Sequence, residues 1–241
     1  MGFTYYGDLI GVTSLYRQDP EKAYKTLNEF YNTTFVTLAN SSEEKVYMFS
    51  DSLVFCGENT ESAIESLENL YLNLILKKNI MLRGAIVSGK LQFDPRIERT
   101  NFEKRLPRGT ELVRAVCLES QYKGARFIVE NALAEELLGE VRDWRTVNGY
   151  VNNITGDTFI GKNDFRRKII PAPEGGGYEY LYFWPSNNTL KHHEQDHEGL
   201  KDKLSEIGRY PKKDISKHYS ETINLLKRSL DRKRYTDSKL D

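Results

Sequence analysis

The chain has 241 residues, of which 39% are hydrophobic and 29% are charged. These values describe an ordinary globular protein that can bury one sizeable core. The 35 basic residues balance the 35 acidic residues, which excludes a nucleic-acid or membrane partner attracted by net charge alone.

Two cysteines, Cys56 and Cys117, are the whole cysteine content, and they form no CxxC pair. This argues against a zinc ribbon or a disulfide framework and favours a reducing compartment. The first residues carry no signal-peptide pattern, and the most apolar helical stretch, YLNLILKKN, is too short to span a bilayer. We therefore expect a cytoplasmic protein.

The first elements in chain order are a strand, a helix and a hairpin. Residues 3–6 are aromatic and rich in threonine, and the strand continues past a glycine into Asp8. Asp19 and Pro20 have the form of a cap and first position of a helix. In KVYMFSDSLVFCG, two apolar runs flank a polar triplet centred on Asp51, which predicts a β-hairpin with Asp51 at its tip.

The later elements alternate between helix and strand. Thr60 is the predicted cap of an amphipathic helix that ends at residues 77–79. MLRGAIVSGKLQF is then a strand, residues 94–108 an exposed loop, RGTELVRAVCLESQYKG a helix, RFIVE a strand and NALAEELLG a short helix. This order predicts an α+β sandwich, with helices packed over a mostly antiparallel sheet.

The C-terminal part of the chain has a different composition. YEYLYFWP ends the Gly- and Asn-rich region 143–185 and is predicted to form the last strand. From Ser186 onward the chain is polar and lysine-rich, and residues 217–234 are predicted to form an exposed helix outside the core. We therefore predict a catalytic domain at 1–185 and a polar, helical extension at 186–241.

Asp8 and Asp51 form a candidate metal site. Asp8 lies in the first strand, so the two carboxylates can converge if that strand lies beside the hairpin. Two carboxylates at one end of a sheet suit Mg²⁺ or Mn²⁺, which bridge nucleotide phosphates. Each residue also has a plainer interpretation, Asp51 as a turn residue and Asp8 as a buried carboxylate with satisfied hydrogen bonds.

Four short segments occur in a recognisable order. DLIGVTSLY is similar to the pattern D-I-x-G-F-[TS], and FSD at residues 49–51 is similar to a hairpin tip with a metal-binding Asp. LRGAIVSG is similar to R-x-G-I-x-x-G, and GTELVRAVCL is similar to G-x-x-V-N-x-A-x-R-L. Together they cover about residues 3–130 and resemble class III nucleotidyl cyclases. The matching positions are Asp8, Leu9, Gly11, Thr13, Asp51, Arg83, Ile86, Gly89, Gly109, Ala115 and Leu118.

The resemblance implies a ferredoxin-type α+β sandwich and a specific reaction. Asp8, Asp51 and the carbonyl of Leu9 would hold two divalent cations, Mn²⁺ or Mg²⁺. The ribose 3′-hydroxyl of a nucleoside triphosphate would attack the α-phosphate, giving pyrophosphate and a 3′,5′-cyclic nucleotide, mostly through positioning and charge stabilisation. The phosphates would bind the backbone amides of Ile10, Gly11, Val12 and Thr13.

The position that reads the base departs from the purine enzymes of the family. They have Lys or Glu four residues before the second Asp, where this chain has Tyr47, which offers a stacking face and one hydroxyl. The chain thus resembles the bacterial pyrimidine cyclases of Pycsar antiviral systems. That implies UTP or CTP as substrate and a cyclic product sensed by a separate effector. An adenylate or guanylate cyclase, in which Tyr47 only fills the sheet, stays open.

Two further family positions differ. Val113 replaces the ribose-binding Asn and Cys117 replaces the transition-state Arg. Arg114 is the substitute candidate for a catalytic phosphate contact, with a solvated helix arginine as the plain alternative. Residues 166–168 are candidates for the triphosphate lysine. The resemblance also implies a homodimer with composite active sites, and these departures leave open a catalytically inactive nucleotide-binding module.

A rival motif lies near the C-terminus. HEQDH at residues 193–197 matches HExxH, the helix signature of zinc metalloproteases. Such a site needs an apolar helix and usually a third ligand, whereas the flanking residues here are almost all polar. We therefore predict a solvated tail at this position.

Overall fold

The computed structural model describes residues 2–38, 44–93, 107–139, 165–183 and 213–237, with Gly199 and Asp202. The strands are β1 (Phe3–Leu9), β2 (Lys45–Phe49), β3 (Ser52–Gly57), β4 (Leu82–Ser88), β5 (Gln92–Phe93), β6 (Pro107–Arg108), β7 (Phe127–Val129), β8 (Ile169–Pro171) and β9 (Tyr178–Tyr180). The helices are α1 (Val12–Gln18), α2 (Pro20–Leu38), α3 (Thr60–Leu72), α4 (Thr110–Ser120), α5 (Asn131–Leu138) and α6 (Lys213–Asp237). The HEQDH motif lies outside the described residues.

Seven strands form one sheet in the order β2-β3-β1-β4-β7-β9-β8, and β5 pairs only with β6. Every neighbouring pair in the large sheet is antiparallel except β4 and β7. The first four strands, with α2 after β1 and α3 after β3, have the βαββαβ topology of a ferredoxin-type sandwich. The predicted fold class is therefore confirmed.

Local signals set the helix ends. The Asp19 carboxylate accepts the amide of Lys22 at 2.9 Å, and α2 begins at Pro20, as predicted. The cap of α3 is Asn59 and not Thr60, because the Asn59 side chain accepts the amide of Ser62 at 3.1 Å. A π-helical segment, Asn73–Lys78, follows α3 directly, so the helical stretch as a whole ends at Lys78.

The central strand β1 buries one face and leaves the other for polar residues. Phe3, Tyr5 and Leu9 belong to the main core, and alternation places Asp8 on the opposite face. Gly7 pairs with Gly84 of β4, and a Cβ on either glycine would collide with the Tyr5 ring. The glycine that interrupts the first strand in sequence therefore makes room for a buried tyrosine.

The helices form layers on both sides of the sheet. The main core joins the sheet to residues of α2, α3, α5 and α6, and a smaller cluster packs Ala115 and Leu118 of α4 against Ala85 and Val87 of β4. In the described part of the chain, no helix combines the length and apolar character needed to cross a membrane.

Helix α6 is part of the core, so the prediction of an exposed helix at 217–234 is wrong. Leu225 and Leu226 are buried in the main core, and Thr222 accepts the amide of Ala125 at 2.9 Å. The helix is polar overall, but its buried positions recur at helical spacing and form one narrow buried stripe that contains Leu225 and Leu226. The domain boundary at residue 185 stays a prediction.

This packing predicts that Leu225→Ala lowers the free energy of unfolding by about 2–5 kcal/mol, because it leaves a cavity in the main core. The neighbouring Lys227 is exposed, so Lys227→Ala is the matched control and is expected to change stability by less than about 0.5 kcal/mol. Urea unfolding followed by circular dichroism measures both. Equal stability of the two variants would contradict the packing of α6 against the sheet.

Candidate functional site

The tip of the β2–β3 hairpin is held in place from two sides. Phe49 pairs with Ser52, so Ser50 and Asp51 form the turn, and Ser50 has a left-handed φ of 52°. The Tyr31 hydroxyl of α2 donates to the Ser50 carbonyl at 2.6 Å. The amide of Leu9 donates to the Asp51 carbonyl at 2.9 Å. The predicted position of Asp51 at a hairpin tip is confirmed.

The same contacts bring Asp8 and Asp51 to one end of the sheet. Asp8 pairs directly with Ser52, the residue after Asp51. Burial raises the pKa of Asp8, and the nearby Asp51 charge raises it further, while a hydrogen bond from Ser52 and the charge of Arg83 oppose the rise. Two carboxylates thus converge where the sequence predicted them.

The raised pKa of Asp8 gives a prediction for stability. Between the unfolded and folded pKa values the folded chain binds more protons, so stability falls as the pH rises through this window. In EDTA at pH 7, Asp8→Asn is expected to raise the melting temperature, because it removes a charge that burial disfavours. The difference is expected to vanish below the ordinary pKa of 3.8.

Differential scanning calorimetry across pH 3–7 measures this effect. Asp202→Asn, at an exposed position, is the control and is expected to leave the melting temperature unchanged. A melting temperature for Asp8→Asn at pH 7 below that of the wild type would contradict the environment described for Asp8.

Ser52 and Tyr6 orient the Asp8 carboxylate. The Ser52 hydroxyl donates to Asp8 Oδ1 at 2.9 Å and lies 3.1 Å from the Tyr6 hydroxyl. Because the single Ser52 proton is directed to Asp8, Tyr6 donates to Ser52. The sequence analysis missed these hydrogen bonds. Two signals were present: Tyr6 and Asp8 are two residues apart and so share a face of β1, and Ser52 follows Asp51 directly.

Arg83 and Glu119 lie on the same side of the sheet. Arg83 is directly opposite Asp8 in the β1–β4 pairing. Its Nε donates to the Glu119 carboxylate, and its Nη1 donates to the Tyr122 carbonyl at 3.0 Å. Burial raises the pKa of Glu119, and the charge of Arg83 opposes the rise. The sequence signal for Arg83 was its place in the R-x-G-I segment, which suggested no role for its side chain.

The donor atoms at this end of the sheet suit a hard divalent cation. Asp8, Asp51 and the Leu9 carbonyl supply only oxygen, the ligand atom that Mg²⁺ and Mn²⁺ prefer. Among the residues with described positions, no group of three or more His, Cys, Asp or Glu side chains forms a closed metal site. A cation here would take further ligands from water or substrate phosphates, as Mg²⁺ usually does.

The predicted phosphate cradle follows directly after Leu9. Gly11 has a left-handed φ of 87°, which turns the chain from β1 into α1. The first amides of α1 have no partner within the helix, so Gly11, Val12 and Thr13 can offer N–H groups to an anion. The amide of Ile10 instead donates to the Met81 carbonyl at 2.9 Å. As folded here, Ile10 is therefore not part of such a cradle.

Tyr47 lies on the same face of the sheet as Asp8. It is opposite Val54 of β3, and it packs with Tyr6 and Leu112 against a small cluster formed by Val54, Cys56 and Leu91. Tyr47 is half-buried, so part of its side chain stays accessible. This position is compatible both with a side chain that only packs within the sheet and with one that contacts a nucleotide base.

Arg114 does not join Asp8 and Asp51 within the chain. Its Nε lies 3.2 Å from Glu130 Oε1, and it donates to the Ser88 carbonyl. Ser88 pairs with Phe3, five residues along β1 from Asp8, which corresponds to about 17 Å of strand. Within one chain, Arg114 is therefore not brought to the two carboxylates, and its predicted catalytic role stays a prediction.

The basic residues near the last strands make local ion pairs. Lys168 donates to both oxygens of the Glu68 carboxylate of α3, at 2.6 and 2.8 Å. Arg166 lies 3.6 Å from a carboxylate oxygen of Glu61, on the same helix. As folded here, these two candidates for a triphosphate contact face α3.

No protein-family model matches the chain, and no curated protein matches it. The chain is similar to the solved guanylyl cyclase Cya2, with 15% identity, a TM-score of 0.48, and coverage of 56% of this chain and 76% of that one. It is also similar to the guanylate cyclase domain of RhGC from Catenaria anguillulae, with 14% identity, a TM-score of 0.47, and coverage of 57% of this chain and 82% of that one. A third similar structure is the adenylyl cyclase CyaB from P. aeruginosa, with 14% identity, a TM-score of 0.48, and coverage of 58% of this chain and 81% of that one. At such identities the likeness is one of fold alone.

Proposed function

We propose that the chain is a metal-dependent nucleotidyl cyclase that converts a nucleoside triphosphate to a 3′,5′-cyclic mononucleotide and pyrophosphate. The observation that carries the proposal is the convergence of Asp8 and Asp51 at one end of the sheet, through the Asp8–Ser52 pairing and the Leu9–Asp51 hydrogen bond. Helix α1 starts at Val12, three residues after Leu9, so the backbone amides proposed to bind an anion adjoin the carboxylates.

Asp8, Asp51 and the Leu9 carbonyl would hold the divalent cations, Mn²⁺ or Mg²⁺. When bound, such cations neutralise charge that develops on the phosphate oxygens during the reaction. The cyclase likeness of the four sequence segments supports this assignment, because Asp8 and Asp51 occupy the two metal-binding positions of the class III pattern.

The chain itself would mainly position the substrate. The amides of Gly11, Val12 and Thr13 would bind the triphosphate, at the positive end of a helix. Ser52 and Tyr6 would keep the Asp8 carboxylate in one orientation. The ribose 3′-hydroxyl would attack the α-phosphorus, and the bond from the α-phosphorus to the oxygen that bridges it to the β-phosphorus would break. Pyrophosphate would leave, and the hydroxyl proton would pass to solvent.

A pyrimidine nucleotide, UTP or CTP, is the proposed substrate. Support comes from Tyr47, which occupies the base-reading position without the Lys or Glu of the purine enzymes and lies on the same face as Asp8. The resemblance to Pycsar cyclases adds a proposed role, in which the cyclic product is a second messenger in antiphage defence, sensed by a separate effector.

A homodimer with composite sites is part of the same proposal. Helix α4 leaves Val113 61% exposed and Val116 36% exposed, and these apolar side chains would contact the other protomer. Arg114 lies on the same helix and would serve the site of the other protomer, since it does not reach Asp8 of its own.

Incubation of the purified full chain and Mn²⁺ with ATP, GTP, CTP and UTP in turn tests the substrate. Chromatography of the products is expected to give cyclic UMP or cyclic CMP as the dominant product. A cyclic purine product alone would contradict the pyrimidine assignment and favour the alternative of an adenylate or guanylate cyclase.

A catalytically inactive nucleotide-binding module is the second candidate. Val113 and Cys117 at the ribose and transition-state positions, together with the engagement of Arg114 by Glu130, favour it. Nucleotide binding measured by calorimetry, with no product from any of the four nucleotides, would support this candidate over the cyclase.

A further inference from the structure

Arg83 is placed where it could pair with a metal-binding carboxylate. It is directly opposite Asp8 across β1 and β4, and directly opposite side chains in an antiparallel pair have Cβ atoms about 4.5–5.5 Å apart. An arginine side chain is longer than this separation.

The guanidinium is instead held by α4 and the residues after it. Nε of Arg83 donates to the Glu119 carboxylate, and Nη1 donates to the Tyr122 carbonyl at 3.0 Å. The side chains of Arg83 and Glu119 are 15% and 4% exposed. Two donors of Arg83 are thus bound to partners other than Asp8, and Asp8 Oδ1 receives its hydrogen bond from the neutral Ser52 hydroxyl.

We infer that Glu119 is a positioning residue that holds Arg83 away from Asp8 and so keeps the Asp8 carboxylate open to a divalent cation. This inference rests on the metal site of the proposed function. An arginine that paired with Asp8 would occupy the oxygen lone pairs that a cation needs. Stability alone does not require the Arg83–Glu119 pair, because apolar residues often replace buried ion pairs without loss.

The test measures Mn²⁺ binding to the full chain without nucleotide, by electron paramagnetic resonance. Glu119→Gln keeps the size of the side chain and an oxygen acceptor but removes the charge that competes for Arg83. It is expected to weaken Mn²⁺ binding at least about tenfold, because a unit positive charge close to the cation costs more than the free energy of a tenfold change. Adding Arg83→Met to Glu119→Gln is expected to restore the affinity to within about twofold of the wild type.

Glu68→Gln is the matched control. Glu68 is a partly buried carboxylate paired with Lys168 and 13% exposed, so its loss changes stability without changing the charges around Asp8. The control is expected to bind Mn²⁺ as the wild type does. Circular dichroism confirms that each variant is folded at the temperature of the measurement.

If Glu119→Gln does not fold, Glu119→Asp takes its place, because the shorter carboxylate holds Arg83 less closely. Wild-type Mn²⁺ affinity in the tested Glu119 variant would overturn the inference, and so would a double variant that binds as weakly as Glu119→Gln. Absence of Mn²⁺ binding in the wild type would overturn it together with the metal site. Weakened Mn²⁺ binding in Glu119→Gln with restored binding in the double variant would support the inference even if the protein forms no cyclic nucleotide. That combination would overturn only the cyclase proposal.

Discussion

Asp8→Ala and Asp51→Ala are each expected to lower the rate of cyclic nucleotide formation at least about a thousandfold. Each substitution removes one of the two carboxylates that converge at the end of the sheet. The remaining carboxylate cannot hold two cations, so the charge on the triphosphate is left without its main stabilisation. The rate of product formation with saturating Mn²⁺ and the preferred nucleotide is the quantity to measure.

The matched control is Glu65→Ala. Glu65 is exposed on α3, which packs on the face of the sheet opposite to Asp8, so this variant loses a carboxylate but no part of the site. It is expected to keep the wild-type rate. An Asp8→Ala or Asp51→Ala variant that is folded and retains more than about a tenth of the wild-type rate would contradict the proposed roles of these residues.

Tyr47→Ala is expected to lower kcat/KM for the preferred nucleotide about tenfold to a hundredfold, because stacking of a base on an aromatic ring typically contributes 1–3 kcal/mol. Tyr47→Phe keeps the ring and removes the hydroxyl, so it separates stacking from hydrogen bonding. If the hydroxyl reads the base, Tyr47→Phe is expected to reduce the preference between UTP and CTP while retaining most of the activity. Competition between two nucleotides in one reaction measures this preference.

Tyr24→Ala is the control for the loss of an aromatic ring. Tyr24 lies on α2 and is 66% exposed, so its removal is expected to leave kcat/KM unchanged. Wild-type kcat/KM and wild-type preference in Tyr47→Ala would contradict base contact and would leave Tyr47 as a residue that only packs on Val54 and its neighbours.

The parts of the fold that sequence predicts well are those determined by local chemistry. Asp19 and Pro20 set the start of α2, and the polar triplet around Asp51 sets the hairpin turn, because caps and turns depend on a few adjacent residues. The order of strands and helices then gives the α+β sandwich. Alternation along β1 also places Asp8 on the face opposite to Tyr5.

The parts that sequence does not predict depend on which strands become neighbours. Ser52 and Asp8 are 44 residues apart in sequence, and Arg83 and Glu119 are 36 apart. The first contact exists because β1 pairs with β3, and the second exists because α4 packs against β4. No local periodicity encodes either arrangement. Arg114 shows the same limit, since its position beside Glu130 follows from the packing of α4 against β4.

Helix α6 was misjudged for a different reason. Its composition is strongly polar, and composition averages over all faces of a helix. The described residues of this helix include five buried positions, which form a single stripe: Thr222, Leu225, Leu226, Ser229 and Arg232. Helical periodicity at i, i+3, i+4 and i+7 was the signal that could have identified this face.

The most direct test of the proposed activity is the stoichiometry of the reaction with UTP or CTP and Mn²⁺, followed by phosphorus-31 nuclear magnetic resonance. A cyclase is expected to release one pyrophosphate for each 3′,5′-cyclic mononucleotide, with both products absent from Asp51→Ala. Release of orthophosphate and a nucleoside diphosphate, or turnover that persists in Asp51→Ala, would contradict the proposed nucleotidyl cyclase.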